Sequence, residues 1–94
     1  MDAHEGMDRI RNALKQRSGK GWSVTKEEGP RGSIKIAPLR RLYRDDDSYD
    51  EAWVELAQLL GLSAHVRMGH VNLRDVDEYV ARAEGRHATQ EVDQ

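Results

Sequence analysis

The stretch WSVTKEEGPRGSIKIA, residues 22–37, decides the fold. WSVTK is rich in β-branched and aromatic residues and reads as a strand. EEGPRG marks a turn, and SIKIA reads as a second strand. Strict alternation puts Trp22, Val24, Ile34 and Ile36 on one face and Ser23, Thr25, Ser33 and Lys35 on the other. One greasy and one polar face are the pattern of an antiparallel hairpin covered on a single side.

Working outward, the residues before the hairpin predict a helix from Glu5 to Arg17. Met7, Ile10, Ala13 and Leu14 recur at helical spacing. Glu5 and Asp8 near the start, with Lys15 and Arg17 near the end, suit the helix dipole. Gly19 supplies a left-handed stop. After the hairpin, Pro38 ends the second strand and APLRRLYRDDD forms a connector. Ser48 and Glu51 make an S-x-x-E capping box that opens a second helix. Tyr49, Ala52, Trp53, Leu56, Leu59 and Leu60 cover one side of it; Asp50, Glu51, Glu55 and Gln58 cover the other. Gly61 ends this helix, and Leu62 folds back onto its last turn.

AHVRMGHV reads two ways. Val66 and Met68 alternate with His65 and Arg67, which predicts a third strand with Gly69 at a bulge or bend. ELAQLLGLSAHV also resembles the front of a helix-turn-helix. That likeness breaks where Gly69 would fall inside the recognition helix, costing roughly 1 kcal/mol against alanine. Asn72 then caps a last helix that buries Leu73, Val76, Val80 and Ala83, and Gly85 stops it. The expected fold is α+β in the order α-β-β-α-β-α: a three-stranded antiparallel sheet with helices packed on one face. One domain spans residues 1–94, with a core over about 5–85 and a loose tail over 86–94.

Charge is unevenly divided. Through Arg44 the chain holds 11 Lys/Arg against 5 Asp/Glu, and from Asp45 onward 4 against 12, for a net charge of −2. Such polarity suggests a charged partner, or one half of the fold neutralising the other. There are no cysteines, which excludes disulfides and thiolate metal sites and suits a reducing, cytoplasmic setting. No apolar run is long enough to span a membrane, and the N-terminus lacks the basic start and apolar stretch of a secretory signal.

The usual chemical motifs fail on spacing. His65 and His70 lie five apart and would point to opposite faces of a strand, so they do not converge on a metal. DDDSYDE has Asp50 where a calcium loop needs glycine, and Leu56 where it needs glutamate. Ser23 and Lys26 fit S-x-x-K, but on a strand rather than at the head of a helix. SGKGW is too short for a phosphate loop. No catalytic residues, cofactor or metal are expected.

The basic half carries the functional expectation. Lys35, Arg40, Arg41, Arg44 and Arg67 are candidates for contacts to a nucleic-acid phosphate backbone. Against this, the connector arginines could neutralise Asp45, Asp46, Asp47 and the acidic side of the second helix. The alternative function is protein interaction, as an inhibitor or homodimer subunit, with Asp50, Glu51 and Glu55 docking on a basic partner.

The string IRNALKQ…WSVT…GSIKI, over roughly residues 9–36, resembles small α-β-β modules of phage and mobile-element proteins, including the large polyvalent protein-associated domains. The resemblance implies a mobile-element setting and supplies no catalytic residue.

Overall fold

The computed structural model describes residues 2–27, 32–62 and 70–86. Its elements are α1 (Ala3–Ser18), β1 (Trp22–Glu27), β2 (Ser33–Pro38), α2 (Asp46–Leu59), β3 (His70–Asn72) and α3 (Val76–Ala83). Short 3-10 turns at Arg40–Leu42 and Leu73–Asp75 precede α2 and α3. The strands form one antiparallel sheet in the order β1-β2-β3. The expected α+β architecture is therefore the observed one.

The hairpin faces divide as alternation requires. Trp22, Val24, Ile34 and Ile36 are buried, and Val71 of β3 joins them opposite Ile34. Onto this surface pack Ile10 and Leu14 from α1, Leu56 and Leu60 from α2, and Val80 and Ala83 from α3. Ile10, Leu14, Ile34, Ile36, Leu56 and Leu60 are all at 0% exposure, each contributing roughly 1.5–3 kcal/mol by burial. At the corner between α1 and β1, the Trp22 indole N–H donates to the Ser18 hydroxyl at 2.8 Å, and that hydroxyl donates to Leu14 O at 2.7 Å. The large ring is thereby buried without an orphaned donor.

Three boundaries differ from the sequence reading. First, α1 begins at Ala3 because the Asp2 carboxylate caps it, accepting the Glu5 N–H at 2.8 Å. Second, α2 opens at Asp46, not Ser48, and the capping box does not form. Asp45 is the cap and accepts the Ser48 N–H at 2.7 Å. A charged carboxylate makes the stronger cap, and it places Asp46 and Asp47 in the first turn, where the dipole favours them. Third, Asn72 makes no side-chain cap. It is held in the ladder opposite Ser33, and the 3-10 turn satisfies the start of α3 instead. The expected strand residues Val66 and Met68, and the helix-turn-helix alternative, lie outside the described residues, as does the tail beyond Arg86.

The helix ends follow the sequence more closely. After α2 the Leu62 N–H donates to Ala57 O at 2.8 Å and the Gly61 N–H to Gln58 O at 3.1 Å, with Gly61 at φ 70°. This is the glycine stop that the sequence predicts. Gly32 serves differently: it has φ 66°, and a β-carbon there would lie 2.8 Å from Leu73 Cδ1.

The C-terminal ends of the three helices meet at Arg17. Its Nη1 donates to Leu59 O at 2.7 Å, Ala83 O at 2.9 Å and Arg82 O at 3.1 Å. Arg82 Nη1 donates to Leu60 O at 3.0 Å. Unpaired carbonyls and negative dipole ends make this pole demand cations. Farther along α1, Arg9 bridges to Glu84 at 2.7 Å.

Candidate functional site

The sheet face away from the helices is open and polar around Thr25, Lys35 and His70, and closes at the other end, where Ala37 is buried. Its register sets Thr25, Lys35 and His70 in one row across the three strands, and Glu27, Ser33 and Asn72 in the next. Thr25, Lys35, His70 and Asn72 are exposed. Glu27 supplies the acid of this face among the described strand residues, and it pairs with His70 Nδ1. Lys35, at the centre, has no hydrogen bond or ion pair among the described residues. The described acid of this face, Glu27, is paired with the neighbouring strand's His70.

The connector cations divide. Arg40 is bridged to Asp46 at 2.9 Å and lies 4.6 Å from the Tyr49 ring centroid. This is the internal neutralisation that the Asp45–Asp47 run suggests. Arg41 and Arg44 are exposed and unpaired among the described residues. Arg67 lies outside the described residues. The predicted group is not gathered into one patch: Arg40 is held against α2, whose buried side chains face the apolar side of the sheet. Lys35 stands on the other face. Lys26, at the hairpin end of β1, is exposed and unpaired among the described residues, but its register opposite Ile34 puts it on the apolar side of the sheet.

The acidic side of α2 is likewise divided. Asp50 and Glu51 are exposed. Glu55 accepts from Lys20 at 2.6 Å, with both side chains about one-third exposed (35% and 36%). The Glu55 hydrogen bond is the largest influence raising the Lys20 pKa above its ordinary 10.5, against the opposing pull of burial. The Lys20 ammonium also lies 5.7 Å and 5.8 Å from the ring centroids of Trp22 and Tyr43. The sequence sets Lys20 near the hairpin, two residues before Trp22, but not against Glu55, which lies 35 residues on.

Lys20 and Glu55 form one wall of a cleft of about 540 Å³ that also takes in Leu42, Tyr43, Arg44, Ser48 and Glu51. Asp45 lies at its end, its carboxyl held below 3.8 chiefly by the Ser48 backbone hydrogen bond. The Tyr43 hydroxyl is shut off from solvent beside Lys20 and has no hydrogen bond of good geometry among the described residues. Its ring meets Tyr49 edge-on at 6.1 Å, and Tyr49 meets Trp53 in the same way at 6.2 Å.

Among the described residues no group of three His, Asp or Glu side chains is placed to hold a metal ion, and no helix is long and apolar enough to cross a membrane. Comparison with family models, with curated proteins and with solved structures finds no match. The described surface offers an unpaired cation, Lys35, on the open sheet and a cleft of mixed charge beside α2.

Proposed function

We propose that the protein is a non-enzymatic binding module that contacts the phosphate backbone of a nucleic acid with the open face of its sheet. The observation that supports this is Lys35. It projects from the central strand between Thr25 and His70, and the acid on that face is taken by His70. A displayed ammonium among hydroxyl, amide and imidazole groups suits phosphate oxygens, which accept from all of them. Arg41 on the connector, exposed and unpaired among the described residues, supplies a further cation. Arg40, bridged to Asp46, is left out of the contact set. Backbone contacts of this kind position a nucleic acid without reading its sequence.

Labelled duplex DNA, single-stranded DNA and RNA titrated at low and high salt test the reading. Two phosphate contacts, Lys35 and Arg41, predict a slope of log K against log salt of about −1.4 to −1.8. Absence of binding at low salt, or binding indifferent to salt, overturns it.

A further inference from the structure

The cleft beside α2 has a charge pattern that defines its complement. Five charged side chains line it: Lys20, Arg44, Asp45, Glu51 and Glu55. Lys20 and Glu55 satisfy one another at 2.6 Å. Asp45 is occupied as the cap of α2. Among the described residues, what remains unpaired is one guanidinium, Arg44, and one carboxylate, Glu51, both lining the same cleft. Between them stand the Ser48 hydroxyl and Leu42, which is 49% exposed.

A bare anion would meet Glu51, and a bare cation would meet Arg44 and Lys20. Neither suits the cleft alone, because a like charge at close range opposes it. The cleft is also too open to enclose a small molecule, with Lys20 and Glu55 both about one-third exposed on its wall. A protein segment laid across it can answer both charges at once.

We propose that this cleft docks a segment of a protein partner that carries one basic and one acidic side chain around a small apolar residue. The basic side chain pairs with Glu51, one helical turn from Glu55. Glu55 already shows the mode, holding the Lys20 ammonium beside the Trp22 and Tyr43 rings. The acidic side chain pairs with Arg44, and the apolar residue covers Leu42. The site is independent of phosphate contact, since neither Lys35 nor Arg41 lines it.

The test uses the full chain, isotopically labelled, and three capped hexapeptides repeating Arg-Leu-Glu, Arg-Leu-Arg or Glu-Leu-Glu. Amide shifts are followed by NMR, which also confirms that each variant is folded. The Arg-Leu-Glu peptide is expected to shift Lys20 and residues 42–55 saturably and to bind at least 5-fold tighter than either single-sign peptide. Glu51→Lys and Arg44→Glu are each expected to weaken it at least 5-fold, and the double swap Glu51→Arg with Arg44→Glu to restore it. The proposal is overturned by no shift in that region, by a single-sign peptide binding as well, or by a double swap that fails to recover affinity.

Discussion

At the pole where the three helices end, cations are consumed by the fold. Arg17 serves three carbonyls from α2 and α3, and Arg82 serves Leu60 O and Glu78. On the open sheet face, Lys35 serves nothing among the described residues. By sequence these are all basic residues of a charge-rich chain. By structure two close the molecule and one is left for an outside partner. A count of charges therefore says little about binding until the internal acceptors have been assigned. Helix termini are acceptors that no tally of Asp and Glu includes.

Substitutions can break this contrast. The largest effect is expected at the pole. Arg17→Ala strands carbonyls that accept charged hydrogen bonds and should cost about 2 kcal/mol, lowering the melting midpoint by about 10 °C. A calorimetric scan checks this, and an unchanged midpoint would place those contacts among the surface interactions that contribute nothing. Next comes Ser18→Ala, which leaves the buried Trp22 N–H without its acceptor. About 1–2 kcal/mol should be lost in urea denaturation. Lys35→Ala is expected to alter stability by less than about 0.5 kcal/mol while weakening nucleic-acid binding several-fold. A large loss of stability there would show that the residue belongs to the fold.

The smallest effect is a pH dependence at the seam between α1 and α3. Burial pushes the Glu84 carboxyl up, but the hydrogen bonds and charges of Arg9 and Arg86 outweigh it and hold the group below its ordinary 4.5. Its stabilisation is thus present above pH 4.5 and is lost as the pH falls through the lower folded value. Glu84→Gln should flatten this part of the acid denaturation curve. An identical curve for both proteins would contradict the assignment.

Much of the fold was legible because it rests on local pattern. Alternation in residues 22–37 gave both hairpin faces, and Gly61 with Leu62 gave the end of α2. Helix starts were less legible. Asp45 and Ser48 are both good caps three residues apart, and the sequence does not say which will accept the N–H. The site was least legible of all. Arg40 finds Asp46 nearby, but Lys20 finds Glu55 and Arg17 finds Leu59 and Ala83 only after the chain has folded. Those pairings decide which cations remain available, and they are properties of packing rather than of spacing.

The most direct measurement compares two single substitutions by salt-dependent nucleic-acid binding, Lys35→Ala on the open face and Arg40→Ala on the paired connector. If displayed cations bind and paired ones do not, Lys35→Ala makes the slope of log K against log salt shallower by about 0.7–0.9, and Arg40→Ala leaves it unchanged. Equal slopes for wild type and Lys35→Ala, or the larger change at Arg40, would contradict the division between spent and displayed charge.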